Sequence, residues 1–309
     1  MHYLDWIAIG GYFILLLGLG FYKSSKKGND SDFILAGRKL SLPGFIATLV
    51  ATWYGGILGV GENTYHYGIQ TWFIFAFPYY VFGLLFAIFL APKIRNLPHH
   101  SIPDHFRKHF GHNAGIFSAV LILFLASPAP YILSFGILLQ HTLGWNLLPA
   151  ILFSTIVSLI YIWYGGFRSV IRTDILQFIF MFTGFVFLLV FSWNYFGPPK
   201  KLFTELPEHY FDPTGGNSIQ YILVWFFIAL WTFIDPGFYQ RTAAAKSPET
   251  AQKGILISIG FWFVFDFLTI STGLYAVAIL PNQTAAMAYP ELAAHILPPF
   301  VYGIFLIGL

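Results

Sequence analysis

The sequence predicts an all-α polytopic membrane protein, and three properties support this: charge content, hydropathy and the length of the apolar runs. Only 9% of the 309 residues are charged, 57% are hydrophobic and the mean hydropathy is +0.69. An ordinary soluble domain has about 25% charged residues, so this chain has too little charge to cover a soluble surface. Such high hydrophobicity also excludes a disordered chain.

Long apolar runs favour helices over a β-barrel. The runs 6–21 and 175–193 are close to the roughly 20 residues with which a helix crosses a hydrocarbon core. Barrel strands would be shorter and would alternate in polarity. We predict eight spans and the start of a ninth, at approximately 5–22, 42–62, 69–92, 114–140, 146–165, 173–194, 218–238, 254–280 and 298–309.

The distribution of basic residues predicts the orientation. With the N-terminus outside, the outside loops carry only Lys200 and Lys201. The inside loops then carry 14 basic residues, which are Lys23, Lys26, Lys27, Arg38, Lys39, Lys93, Arg95, Arg107, Lys108, Arg168, Arg172, Arg241, Lys246 and Lys253. Because inside loops are enriched in Lys and Arg, we expect an integral plasma (inner) membrane protein with its N-terminus outside. The first run lacks a basic leader and a small-residue cleavage site, so we expect it to be retained as a span.

Several function classes lack their sequence patterns. The chain has no cysteine, which excludes disulfides, Cys-ligated zinc, iron–sulfur clusters and thiol nucleophiles. It has no P-loop pattern, nothing that indicates nucleic-acid binding, and no convincing nucleophile–base spacing. We therefore expect no enzyme activity, no organic cofactor and no nucleic-acid partner. No obligate protein partner is evident, and we expect the many Trp and Phe side chains to contact membrane lipid.

The second predicted span contains a Gly55-Gly56 pair. Each glycine weakens a helix by about 1 kcal/mol. Two interpretations remain open. Small residues could allow close helix packing, or the helix could be broken so that freed carbonyl groups bind a cation near the membrane midplane.

Two acidic residues lie at contrasting positions in the predicted spans. Ionisable groups inside a membrane are costly and usually face a pathway. Asp266 lies mid-span, where it could face such a pathway or could be a hydrogen-bonded core carboxyl. Glu62 lies near the outer interface and could simply be solvated.

Two further acids have local explanations as well as functional ones. Asp235 precedes a Pro-Gly pair and could be a turn residue at a helix end. Asp174 precedes Gln177 by three positions, which fits an N-cap and its capping-box partner. Alternatively, Asp174 could attract a leaving cation at the cytoplasmic mouth.

Three segments carry a specific resemblance. They are Asp-Phe-Ile-Leu-Ala-Gly-Arg at 32–38, Gly-Gly-Phe-Arg-Ser-Val-Ile-Arg-Thr-Asp-Ile-Leu-Gln at 165–177 and Tyr-Gln-Arg-Thr-Ala-Ala-Ala-Lys-Ser at 239–247. In this order they resemble motifs of the sodium:solute symporter family, which includes bacterial proline, sugar and sialic acid cotransporters. The resemblance covers the whole chain and corresponds to roughly the first two-thirds of a family member.

The resemblance implies a LeuT-type fold of five-plus-five inverted repeats. On this basis residues 1–309 form a single transmembrane transporter domain. Residues 1–41 supply an extra N-terminal helix and a cytoplasmic loop, 42–194 the first repeat, and 218–309 a second repeat that is truncated.

The resemblance also implies a sodium site. Ala51 and Tyr54 match positions whose backbone carbonyls bind Na⁺ in the broken helix, and Asp174 matches an acid near the inner sodium exit. The family completes the site with hydroxyl ligands from a helix that lies beyond this sequence.

The implied solute site shows departures from known patterns. Solute is expected beside Thr52, Trp53, Gly55 and Gly56, against the span around Trp231. At several positions this sequence has a residue type that differs from the one in the sugar or proline transporters. These positions are Ile57, Leu58, Gly237, Asp235 and Trp53. Sugar and proline are therefore disfavoured, while acids at 235 and 266 favour an amine-bearing or other partly cationic solute.

We therefore expect sodium-coupled symport of a small organic solute by alternating access. Whether protons replace sodium stays open. The alternative from another class is a membrane sensor or receptor domain that keeps the transporter fold and signals through a C-terminal domain.

Overall fold

The computed structural model describes residues 1–21, 30–98 and 101–309. Lys23, Lys26 and Lys27, which contribute to the predicted orientation, lie outside the described residues. The described residues are nearly all helical. The helices are α1 Tyr3–Phe21, α2 Asp30–Leu35, α3 Leu42–Trp53, α4 Ile57–Tyr67, α5 Gln70–Phe75, α6 Phe77–Phe89, α7 Ala91–Asn96, α8 Ile102–Phe110, α9 His112–Leu125, α10 Ala129–Leu143, α11 Leu147–Phe196, α12 Pro199–Glu205, α13 Ile219–Ile228, α14 Pro236–Ala244, α15 Pro248–Ile279, α16 Ala288–Ile296 and α17 Val301–Gly308.

Seven helical segments of the described chain are long and apolar enough to cross a membrane. They are Tyr3–Gly20, Leu42–Tyr67, Gln70–Phe89, His112–Leu143, Gly166–Phe196, Ile219–Ala244 and Pro248–Ile279. The first part of α11, Leu147–Val157, is a shorter apolar helix. The seven long segments correspond to seven of the eight complete spans that the sequence predicts. The remaining one, 146–165, contains the shorter helix, and α17 lies within the predicted ninth.

The fifth and sixth predicted spans form one continuous 50-residue element, α11, that bends at Gly166. An unbent helix of this length would extend about 75 Å, far beyond a hydrocarbon core of about 30 Å. Gly166 has φ 56° and ψ −159°, a backbone region that is essentially restricted to glycine. A Cβ there would also meet Phe33, so this residue separates the two spans.

Four of the spans are interrupted within the described residues. The third has a short break at Ala76, between α5 and α6. The second contains a 3₁₀ turn at Tyr54–Gly56 between α3 and α4. The seventh changes to 3₁₀ at Ala229–Phe233 and restarts as α14 after Asp235. The fourth, expected to be continuous over 114–140, ends as α9 at Leu125 and restarts as α10 at Ala129. The second span is therefore broken, at a single tight turn. Cation binding by the carbonyl groups of this turn stays a prediction.

The three sequence motifs meet at one end of the bundle. Arg168 of the second motif donates to Asp32 of the first at 2.8 Å. Gln240 of the third donates to the carbonyl oxygen of Ile34 at 2.9 Å. Leu40 faces Ala245 in a β-bridge, where its N–H donates to the Ala244 carbonyl oxygen and its own carbonyl oxygen accepts the N–H of Lys246. Residues distant in sequence therefore hold α2, α11 and α14 together.

The leading helix α1 is tied to the last helix of the chain. Asp5 is only 2% exposed, and its carboxylate accepts the backbone N–H groups of Phe300 at 2.8 Å and Gly303 at 3.2 Å. These are among the donors that the start of a helix leaves without an internal partner. Asp5 thus satisfies the beginning of α17.

Candidate functional site

A cavity of about 610 Å³ lies beside the broken second span. Its walls come from residues 49–60 of that span, Phe75 and Tyr79 of the third, 125–131 of the fourth, 231–241 of the seventh and Asp266 of the eighth. The interruptions of the second, fourth and seventh spans therefore all border one space. Backbone that leaves the helix at membrane depth is tolerated where it lines such a cavity.

The turn in the second span fits closely against the fourth span on one side. A Cβ at Gly55 would overlap the ring of Tyr131 in α10. A Cβ at the neighbouring Gly56 would meet nothing within 4 Å. Gly55 therefore permits the close approach of Tyr131, whereas Gly56 borders open space and lines the cavity.

Asp266 joins three helices through two tyrosines. Tyr54 donates its hydroxyl to Asp266 Oδ1 at 2.8 Å, and Tyr80 donates to Oδ2. Asp266 is 5% exposed and makes no ion pair within 4 Å among the described side chains. Two hydroxyl donors offset part of the cost of a mid-span carboxyl, and they fasten the turn of the second span to α15 and α6.

Asp235 begins α14 and keeps one side open to the cavity. Its Oδ1 accepts the backbone N–H of Phe238 at 2.7 Å, the usual N-cap contact. Its Oδ2 accepts the indole N–H of Trp231 at 2.8 Å. The turn interpretation of Asp235 is confirmed, and the indole bond fixes the carboxylate at the cavity wall.

Arg241 and Asp174 form a buried network below the cavity. Arg241 is 4% exposed, and its Nη2 lies 3.6 Å from Asp174 Oδ2 and donates to the hydroxyl of Thr52. Thr48 donates its hydroxyl to the same Asp174 oxygen. The N-cap interpretation of Asp174 is wrong, because this residue lies in the interior of α11. Its carboxylate instead offsets the charge of the only cation that lines the cavity among the described residues.

Aromatic rings supply most of the remaining wall. Trp53 lies at the centre, with ring centroids 4.8 Å from Tyr79 and 5.7 Å from Phe238. Tyr131 and Trp231 face the same space. The site can thus offer ring faces and carboxylates to a ligand, a combination that suits a cationic group.

Comparison with known proteins decides the family. The family model "Sodium:solute symporter family" matches residues 33–307. The chain belongs to this family. The family resemblance that the three motifs indicated is therefore confirmed.

Curated relatives of this sodium:solute symporter family member include transporters with different solutes. The osmoregulated proline transporter OpuE of Bacillus subtilis is 25% identical, over 93% of this chain and 61% of its own length. The high-affinity choline transporter 1 of Drosophila melanogaster is 25% identical, over 96% and 51%. The sodium/glucose cotransporter of Vibrio parahaemolyticus is 24% identical, over 96% and 60%. The chain thus spans about three-fifths or less of the length of these relatives.

A solved structure gives the fold. A Na⁺-coupled sialic acid symporter in a substrate-bound, outward-open state matches with a TM-score of 0.84 at 16% identity, over 99% of this chain and 68% of that one. The likeness confirms the expected LeuT-type fold class.

The cavity brings together most of the residues that the sequence singled out. Those that line it are Thr52, Trp53, Tyr54, Gly56, Trp231, Asp235 and Asp266. Ala51, Gly55 and Asp174 are not among the lining residues. Asp174 is joined to the cavity wall through Arg241, and Gly55 lies behind Tyr131. The roles of these residues in binding stay predictions.

Sequence reasoning missed Tyr79, Tyr131 and the role of Arg241. Arg241 was visible only as part of a motif, because nothing in the sequence pairs it with an acid 67 positions earlier. Pro128 and Pro130 did signal the break in the fourth span, since proline lacks the N–H that a helix interior requires.

Proposed function

We propose that the protein containing this chain is a secondary active transporter that couples uptake of a small organic solute to sodium. One observation carries the proposal: the second span breaks at Tyr54–Gly56 beside a cavity that the interruptions of the fourth and seventh spans also border. Broken helices at the midplane are the usual source of ion and substrate ligands in such folds.

In the proposed mechanism sodium binds first, at the carbonyl oxygens of Ala51 and Tyr54. The carbonyl oxygen of Tyr54 accepts the N–H of Ile57 in the turn, and its second lone pair remains for Na⁺ without a fixed charge beside it. Binding favours the outward-open form only through the difference in affinity between the two states. Solute binding then allows the bundle to rock, and sodium leaves near Asp174 on the cytoplasmic side.

The solute in this proposal carries an ammonium group. Asp235, Arg241 and Asp266 are the charged residues of the described cavity wall, and the charge of Arg241 is already balanced by Asp174. This leaves an excess of negative charge among aromatic rings, which attract cations through their faces. A choline transporter is among the relatives, which is consistent with such chemistry.

Transport of this kind requires no covalent step, so we propose no enzyme activity. The location is the plasma membrane with the N-terminus outside, as the basic residues of the loops favour. The sensor alternative receives no support from the relatives, which are all named as transporters.

Uptake into proteoliposomes tests the function. The complete protein should accumulate a radiolabelled primary amine when an inward sodium gradient is present, and not when potassium replaces sodium. Asp235→Asn should reduce amine uptake by about tenfold, as expected for losing a charged partner. Glu249→Gln, which removes an exposed carboxylate of α15, should leave uptake unchanged. Equal uptake with and without sodium, for amine, amino acid and sugar probes alike, would contradict symport.

A further inference from the structure

The break in the fourth span leaves backbone acceptors without donors. Ala126, Ser127 and Pro128 separate α9 from α10. In a continuous helix the carbonyl oxygen of Ala126 would accept the N–H of residue 130, which is Pro130 and has none. Within the described chain no N–H or O–H group donates to the carbonyl oxygens of Ala126 or Ser127.

The position of this break makes the unpaired acceptors significant. It falls in the middle of the 32-residue membrane segment His112–Leu143. Carbonyl groups that face hydrocarbon at this depth would each cost several kcal/mol. Ala126 is exposed and Ser127 half-buried, and both residues border the cavity together with Asp235 of the seventh span.

The seventh-span wall carries one cationic donor, Arg241, which is bonded to Thr52 and paired with Asp174. The other polar groups on these two walls are mostly acceptors. Asp235 offers a carboxylate, and the turn offers two carbonyl oxygens. The hydroxyl of Ser127 accepts the N–H of Ala129 at 3.3 Å. The backbone N–H of Tyr131 is the donor in the turn that lacks a recorded acceptor among the described residues. A ligand between the walls is therefore matched best by N–H donors on a cation.

We infer that the turn Ala126–Pro130 is part of the solute site and selects protonated primary and secondary amines over quaternary ammonium ions. The inference rests on the proposed transport function and narrows its solute class. The aromatic rings of the cavity attract every ammonium ion. Only an ion that keeps its N–H groups can also satisfy the free carbonyls.

A methylation series measures this selection. Four radiolabelled probes share the same amino-alcohol skeleton, an ethanol unit that carries the nitrogen. They differ only in that the nitrogen is a primary, a secondary, a tertiary or a quaternary ammonium group. Their sodium-dependent uptake is measured with the complete protein in proteoliposomes. The half-saturating concentration should rise along the series, by about tenfold or more from primary to quaternary, because each lost bond to a charged donor weakens binding.

Two variants assign the selection to the turn. Pro130→Ala supplies the missing N–H to the Ala126 carbonyl, so it should remove most of the preference for the primary amine and leave the quaternary probe unchanged. Ser134→Ala changes a residue on the same helix whose hydroxyl bonds to the carbonyl of Pro130 and that does not line the cavity; the preference should persist. Elution of both variants as single species in detergent controls for folding.

The possible outcomes distinguish the inferred amine selection from the proposed symport. Sodium-dependent uptake with the quaternary probe bound as tightly as the primary one, or a preference that survives Pro130→Ala in a folded variant, overturns the inference and leaves symport intact. Sodium-dependent uptake of a neutral or anionic solute only, with no amine transported, does the same. Absence of sodium-dependent uptake for every solute overturns the proposed function, and the inference with it.

Discussion

Tyr54 and Asp266 lie 212 positions apart in the chain and meet in a hydrogen bond of 2.8 Å. Tyr54 begins the 3₁₀ turn of the second span, and Asp266 lies in the middle of α15. The bond therefore connects the shape of the turn to the eighth span. Any change in the turn must either carry Asp266 with it or leave that carboxylate with one donor fewer.

Tyr54→Phe should weaken sodium binding. Removal of the hydroxyl eliminates a bond of about 1 kcal/mol, and it loosens the turn that carries the proposed carbonyl ligands. The half-saturating sodium concentration for uptake should rise about three- to tenfold, with the maximal rate largely retained. Tyr275→Phe is the matched control, because Tyr275 lies on α15 and bonds the Gly197 carbonyl far from the turn. If both variants change the half-saturating sodium concentration equally, the Tyr54 hydrogen bond has no specific effect on sodium binding.

Asp174→Asn should destabilise the protein through Arg241. The two side chains are 12% and 5% exposed, and removal of one partner of a buried ion pair typically costs about 3–5 kcal/mol. The temperature at which the protein unfolds in detergent should fall markedly. The double variant Asp174→Asn/Arg241→Gln should recover most of the loss, because no unpaired charge remains.

The control for this prediction is the exposed pair Glu249–Lys253, with side chains 71% and 59% exposed. Glu249→Gln should leave the unfolding temperature unchanged, since exposed pairs contribute little. If the double variant is less stable than Asp174→Asn alone, the pair does not act as a charge balance.

Gly55→Ala should impair transport, whereas Gly56→Ala should be tolerated. The added methyl group at 55 overlaps the ring of Tyr131, and at 56 it meets open space. Solute uptake should fall by at least tenfold for the first variant, a loss equivalent to about 1.4 kcal/mol. Gly55→Ala/Tyr131→Ala should restore part of the uptake because the obstacle is gone. Similar losses at 55 and 56 would point to helix propensity as the cause.

Trp231→Phe should reduce solute affinity. The change keeps an aromatic ring and removes the indole N–H that holds Asp235 at 2.8 Å. We expect the KM for an amine solute to rise about tenfold or more, because a hydrogen bond to a charged group contributes about 1.5–3 kcal/mol. Trp225→Phe is the control, because Trp225 packs against Phe75 and does not line the cavity. An unchanged KM for Trp231→Phe would show that the indole bond does not position Asp235.

Gly166→Ala should destabilise the bend between the fifth and sixth spans. The backbone angles there cost a residue with a side chain about 1–3 kcal/mol, and the methyl group would also meet Phe33. Gly144→Ala should cost less, because Gly144 has an ordinary left-handed conformation with open space around it. Thermal unfolding of both variants in detergent would compare the two sites, and equal shifts would contradict a special role for Gly166.

The sequence was sufficient to predict the fold class and the position of one break. Apolar runs of near-membrane length identify spans regardless of how they pack, and the Gly55-Gly56 pair weakens the helix where the turn occurs. Asp235 before Pro236 indicated a turn at a helix end, and the structure has Asp235 as the N-cap of α14. Each of these depends on residues close together in the chain.

The contacts that shape the site depend on residues far apart, which one sequence does not pair. Asp174 looked like an N-cap because Gln177 follows it, yet α11 runs through this point and the carboxylate faces Thr48 and Arg241. The fourth span looked continuous because its hydropathy is high on both sides of Pro128. Composition cannot reveal that the residues of a break there border a cavity.

The bonds of Asp5 also bear on how the chain is made. Its two backbone partners are 295 and 298 positions later, so they are synthesised long after α1 has entered the bilayer. Until the translocon releases those residues, the Asp5 carboxylate lacks the donors that it has in the finished protein. Docking of α1 against α17 therefore cannot occur until the residues 295 and 298 positions after Asp5 have been synthesised.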